Sequence, residues 1–213
     1  MLSRTQKVML FFVRGLVKAY LGWGIYAKWS KVHRFLFDRK WKDVYVPHFN
    51  NLWDVALKMR TFKWKRDGIS ELWDAVCTPQ KVQAVGFDLT SPHGNDCDEE
   101  AIWLTNVIDN SLPFRGDGYV EQRVIGASFF TVTWYEPATN HFSGHNVCLL
   151  NCTDGFRYMD YHEPSDPCRT IDEVVQTIVD KYAGWDSSGH GTRDAVVLCW
   201  CLSTKDLKPY MVG

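Results

Sequence analysis

Apolar residues recur at helical spacing through the first half of this chain and alternate or run together in short β-branched and aromatic blocks through much of the second. The first forty residues mix apolar and basic side chains in a roughly helical manner, interrupted at Gly22 and Gly24. Between Phe49 and Lys65, Leu52, Val55, Ala56 and Met59 share one helical face. A short helix is expected from Ser70, and in "TPQKVQAVG" Thr78 is the N-cap, Pro79 the first helical residue and Gly86 the stop. From Val124 onward, "VIGASFFTVTWYE", "HNVCLLN" and "FRYMDYHE" read as antiparallel strands separated by turn residues. Thr170 and Glu173 then form a capping box for a helix striped by Ile171, Val174, Val175, Ile178 and Val179, and Gly184 ends it. The run "AVVLCWCLS" is a buried strand. Helices followed by a sheet predict an α+β architecture in which the first half supplies a helix that leans on the sheet.

Composition refines this picture. At 213 residues the chain is long enough for one domain with an arm, and its ten Trp, nine Tyr and twelve Phe give it much to pack. Seven cysteines, an odd number at irregular spacing, argue against a disulfide framework and point to a reducing compartment, so the expected location is cytoplasmic. The early "VMLFFV" run is interrupted by Arg14 and Lys18 with no small-residue cleavage site after it, and is read as retained. No apolar stretch reaches the ~18 residues of a membrane span. Charge is uneven: residues 1–45 hold ten Lys/Arg and two Asp, a balance of +8, and the remainder balances at −9. The chain therefore divides into a basic, aromatic-rich helical arm, 1–45, and a body, 46–213. The arm reads most simply as a helical pair packed on the acidic body. Its alternative is peripheral contact with an anionic membrane or another anionic partner. No specific nucleic-acid recognition is expected.

The segment "GNDCDEEA" carries chemistry. Asn95 is a good N-cap and Asp98 can complete a weak capping box, giving a helix from about Asp96 to Asp109 with Cys97 in its first turn. There the unpaired N–H groups and the helix dipole favour a thiolate and can hold an oxyanion. The carboxylates of Asp96, Asp98, Glu99 and Glu100 oppose the thiolate, so a histidinium or a bound Ca²⁺ must offset them. His145 opens the strand "HNVCLLN", and Asp160 follows in the next strand. A two-residue Asp154-Gly155 turn would set Asp160 opposite Leu149, roughly 13 Å from His145, and defeat their pairing; the expected four-residue loop, Asn151 to Asp154, sets His145 directly opposite Asp160, with Cβ atoms about 5 Å apart. Cys97 would then attack a carbonyl carbon, His145 would carry the proton and Asp160 would orient the imidazole. His141, His145, Cys148 and Cys152 superficially resemble a zinc set, but strand alternation sends the two cysteines to the face opposite His145.

Together, "FNNLWDVALKM", "LWDAVCTPQKVQAVG", "GNDCDEEAIWL", "GHNVCLL" and "RYMDYHEP", in this order over roughly 46–164, resemble the transglutaminase-like superfamily, in particular the bacterial transglutaminase-like cysteine proteinases. The resemblance implies a papain-like core and thiol chemistry on the peptide or amide bonds of a peptide or protein substrate, with Cys97, His145 and Asp160 as the triad. It implies no required cofactor, although some members bind Ca²⁺ beside the cysteine, where Asp96, Asp98 and Glu99 match here. The link "GFDLTSPHGNDC" is longer than the family's usual short Gly-rich one, and it carries His93. Asn95, Gln80 and Gln83 are the candidates for a side chain at the oxyanion. Two alternatives stand beside hydrolysis: transglutaminase- or deamidase-type acyl transfer on glutamine, and a non-catalytic binding protein of the same fold acting through its basic arm.

Overall fold

The structure, a computed structural model, describes residues 2–64, 75–88, 96–114, 124–161, 163–184 and 194–213. Helix α1 (Arg4–Gly22) is opened by a capping box between Ser3 and Gln6. Gly24, at φ 65°, separates it from α2 (Ile25–His33), and the two helical segments bend by 51° there. A π-helical turn, Arg34–Asp38, and a 3-10 turn, Arg39–Trp41, follow. Helix α3 (Leu52–Met59) buries the four apolar residues that the periodicity assigns to its inner face. Helix α4 (Pro79–Val85) starts on Thr78, whose hydroxyl accepts from Lys81 N, and ends at Gly86, as its cap residues predict. The short helix expected from Ser70 falls largely outside the described residues.

Helix α5 (Cys97–Ser111) begins one residue later than the sequence suggests. Its N-cap is Asp96, which forms a capping box with Glu99. Glu99 reaches back to the Asp96 amide with a longer side chain than Asp98 could offer to Asn95, so the Asp–Glu pair sets the start. Residues 98–105, with Val107 and Ile108, are all buried.

Six strands form one antiparallel sheet: β1 (Val124–Glu136), β2 (His141–Cys152), β3 (Gly155–Asp160), β4 (Glu163–Pro164), β5 (Val196–Ser203) and β6 (Pro209–Val212), in the spatial order β4-β3-β2-β1-β5-β6. Helix α6 (Ile171–Tyr182) lies between β4 and β5 in sequence. At its start Thr170 accepts from Glu173 N, but the Glu173 carboxylate accepts from Arg169 N rather than from the cap residue, so the expected box is only half formed. The protein is thus a mixed α+β fold built on an antiparallel sheet.

Strand alternation sorts the core. Phe129, Cys148, Leu150, Cys152 and Met159 face α5 and α3. Phe130, Val132, Val147, Leu149 and Tyr158 face α6 on the other side. Over the β5–β6 half, Leu10 and Leu21 of α1 pack on Tyr135, Leu198, Cys199 and Cys201, the face that α5 covers farther along the sheet. The arm is therefore part of the body's packing.

The β2–β3 hairpin corrects the expected register. Cys152 pairs with Gly155 and Cys148 with Met159, leaving a two-residue Thr153–Asp154 turn in place of the Asn151–Asp154 loop. Burial of Cys152 in the α5-side core keeps β2 extended to that residue, which a loop starting at Asn151 would have given up. Continued by this register, Asp160 stands opposite Val147, two residues from His145.

Gly155 closes the turn at φ 131°, and a Cβ there would run into the carbonyl oxygen of Cys168. Gly155→Ala should therefore cost on the order of 2 kcal/mol or more in urea unfolding. A loss below about 0.5 kcal/mol, the size of an ordinary surface change, would contradict this account of the turn.

Candidate functional site

Cys97 is the first residue of α5 and is half-buried, outside any disulfide. Its sulfur lies 4.0 Å from Asn146 Nδ2. Because β2 alternates, Asn146 points to the α5 side while His145, the preceding residue, belongs to the α6 side. Thr131 Oγ1 donates to Asn146 Oδ1 at 2.7 Å, which fixes the amide so that its NH₂ faces the sulfur.

His145 and Asp160 are brought together, though diagonally rather than directly opposite as the four-residue loop would require. His145 Nε2 is 3.5 Å from Asp160 Oδ2, and both residues are buried. Diagonal neighbours in an antiparallel pair remain within reach of long side chains, so the contact survives the register shift. It is an ion-pair distance without hydrogen-bond alignment, since Nε2 has no hydrogen-bond partner. Asp160 Oδ2 also receives Lys181 Nζ at 3.3 Å. The imidazole stacks on Tyr182 of α6, with ring centroids 4.0 Å apart. With Nε2 turned to Asp160, Nδ1 is the nitrogen left for a thiol. Among the described residues no hydrogen bond joins His145 to Cys97.

The proposed triad thus divides into a buried His145–Asp160 pair and a sulfur lying against the next residue of the same strand. His145 and Asn146 project from opposite faces of β2, so the imidazole lies on the α6 side of the strand and the Cys97 sulfur on the α5 side.

The acidic residues beside Cys97 are largely internal. Asp98, Glu99 and Glu100 are each 2% exposed. Glu100 accepts a very short hydrogen bond from the Tyr161 amide, which the positive φ of Tyr161, 63°, turns toward α5. Burial first, and then the charge of Asp160, push the Glu100 carboxyl well above its ordinary value of 4.5, against the Tyr161 amide and Lys181. The Tyr161 hydroxyl is held up by burial first and then by Glu100, Asp160, Cys97 and Asp96, so this ring lies in the field of the same cluster.

The oxyanion candidates fare differently. Asn95 and His93 lie outside the described residues. Gln83 Oε1 accepts from Trp103 Nε1 at 3.0 Å, which ties it to α5 six residues past Cys97, about 9 Å along the axis. Gln80 lines a surface cleft with Arg34, Asp38 and Thr78. Asn146 was missed, although "GHNV" contained the signal: if His145 belongs to one face, alternation delivers Asn146 to the other, where α5 packs.

Among the described residues, two groups of side chains bear on metal binding. Oxygens of Asp96, Asp98 and Glu99 lie within 4.8 Å of one another. Asp96 Oδ1 accepts from Asp98 N, Glu99 Oε2 from Asp96 N and Asp98 Oδ2 from Tyr26 Oη, so capping and a tyrosine hydroxyl already engage all three carboxylates. His33, Asp38 and Cys77 also converge within 4.8 Å. There Lys81 Nζ sits 2.7 Å from Cys77 Sγ and 3.9 Å from Asp38 Oδ1, where its ammonium supplies the positive charge. The zinc-like set does not converge: Cys148 and Cys152 face α5, His145 faces α6 and His141 is exposed.

Comparisons with protein families, with curated proteins and with solved structures find no match to this chain.

The raised Glu100 carboxyl has a measurable consequence. A carboxyl whose folded-state pKa lies above its unfolded value costs stability once pH exceeds the unfolded value, and the cost grows until the folded pKa is passed. Glu100→Gln keeps the acceptor for Tyr161 and removes the ionisation. It should match wild type in stability below about pH 4.5 and exceed it by a margin that grows as pH rises toward neutrality. Equal stability at all pH values would mean that Glu100 ionises at no cost.

Proposed function

We propose that the protein is a thiol-dependent hydrolase of peptide or amide bonds, built on a papain-like, transglutaminase-like core and acting through Cys97, His145 and Asp160. The observation that carries this reading is that Cys97 Sγ, at the N-terminus of α5, touches β2 at Asn146, next in the chain to a histidine paired with a buried aspartate. In this mechanism His145 Nδ1 takes the Cys97 proton while Asp160 stabilises the imidazolium through Nε2. The thiolate adds to the substrate carbonyl carbon, and the resulting oxyanion is held by the Asn146 amide, since the Asp96 cap already takes first-turn N–H groups of α5. The imidazolium returns its proton to the leaving amine as the C–N bond breaks. Water, activated by the neutral imidazole, then releases the acid from the acyl-enzyme. Transfer to an amine instead of water would give the transglutaminase-type outcome from the same intermediate.

A second reading has its own support. His145 stacks on Tyr182 and shares Asp160 with Lys181, so the His–Asp pair could be a buried strut in a non-catalytic protein of the same fold.

Iodoacetamide alkylation of Cys97, followed by peptide mass across pH, separates the two. The catalytic reading expects an apparent thiol pKa well below about 8.5 in wild type, returning to about 8.5 in His145→Ala. Identical titration of the two proteins would support the strut. Once a substrate is in hand, Asn146→Ala should lower kcat by about 10²-fold while changing KM little, as removal of an oxyanion donor does.

A further inference from the structure

Helix α1 is apolar on two sides, and only one of them is covered. Leu10 and Leu21 are buried on the β5–β6 half of the sheet, with Met9, Val13 and Val17 packed around them. On the solvent side Val8, Phe12, Leu16 and Tyr20 recur every four residues, a single helical row. They are 54, 64, 71 and 40% exposed, and Phe11 beside them is 76% exposed. Lys7 and Lys18 lie in the same row as Phe11, and both are exposed. The second helical segment repeats the pattern. Val32, Phe35, Leu36 and Phe37, with Trp23 at the C-cap of α1, are each about half exposed or more, among exposed Lys28, Lys31, Arg39 and Lys40. An apolar surface of this extent is uncommon on a soluble domain and marks an interaction site.

We infer that this surface docks on an anionic lipid membrane, with α1 lying in the plane of the interface. Three observations select that occupant. The exposed row mixes aliphatic and aromatic side chains with lysines along its edge, the make-up of interfacial helices, where apolar groups enter the headgroup boundary and cations meet lipid phosphates. Residues 1–45 balance at +8, so the charge complements a negative surface, whereas two copies meeting through this same face would bring like charges together. Finally, among the described residues no single helix is long and apolar enough to cross a membrane; α1 and the segment after it pass that test only as a pair bent by 51°, and the inner side of α1 is already committed to the sheet, which leaves it able to lie on a bilayer rather than span it.

The test is co-sedimentation of the full chain with phosphatidylcholine vesicles and with vesicles in which about one third of the lipid is phosphatidylserine. Binding is expected to the anionic vesicles, weak on neutral ones, and reduced by raising salt from about 0.1 M to about 0.5 M. The combined change Phe11→Ser, Phe12→Ser and Leu16→Ser should lower partitioning by about tenfold or more. Lys7→Glu with Lys18→Glu should remove the preference for anionic lipid. All five positions are exposed, so melting temperature and Cys97 alkylation should match wild type, which separates loss of docking from loss of fold. The proposal is overturned if wild type ignores both vesicle types, if it binds them equally, if the serine variant binds as well as wild type, or if that variant only converts a dimer to a monomer on a sizing column.

Discussion

The burial of α5 against the sheet is the constraint on which the rest of this structure depends. Its residues from Asp98 to Thr105 are out of solvent on every side, because the sheet covers one flank while α3, α4 and their flanking aromatics cover the other. Trp103 is the wedge of the second flank: Phe49 and Phe87 meet its ring edge-on, and Gln83 takes its indole N–H. A helix packed all round has no freedom to slide, so the position of its first residue is set by the core two turns away. The packing of α5 therefore sets where Cys97 meets Asn146.

Charge is the second constraint. Asp96, Asp98, Glu99, Glu100 and Asp160 crowd one end of α5, while the lysines in contact stand at the periphery, Lys181 on Asp160 and Lys81 in the field of Glu99. Burial first, and then the charge of Asp160, push the Glu100 carboxyl upward, so it is the member of this cluster that carries charge least readily. Any thiolate formed at Cys97 adds to an already negative cluster, which the helix dipole alone must work against; this is why the proposed mechanism calls on an imidazolium as well.

Much of this was legible in the sequence where local rules act alone. Strand β1, helix α4 with its Thr-Pro start and Gly stop, and the stripe of α6 follow from period and caps. The hairpin register did not follow, because the choice between a two-residue and a four-residue turn was decided by burial of Cys152, a tertiary effect invisible to turn chemistry. The start of α5 moved by one residue for the opposite reason: a stronger local pair, Asp96 with Glu99, outcompeted Asn95 with Asp98. The His145–Asp160 contact formed even though its register was misread, since parity, which the sequence does show, matters more to a side-chain pair than exact opposition. The role of α6 was hidden, because nothing in "IVDKY" announces that Lys181 and Tyr182 would close over the histidine.

The N-terminal segment shows the limit of periodicity most clearly. One apolar stripe on a helix predicts a core face, but α1 carries two, and sequence alone cannot say which is inward. The sheet chooses the one built on Leu10 and Leu21 because Cys199, Cys201 and Leu198 offer it a complementary surface. The remaining stripe is then left outside together with the lysines that a buried face would have excluded. Since α1 and α5 lie on the same side of the sheet, a bilayer beneath the outer face of α1 would stand on the α5 side, leaving α6 and its contacts with His145 and Asp160 on the far side.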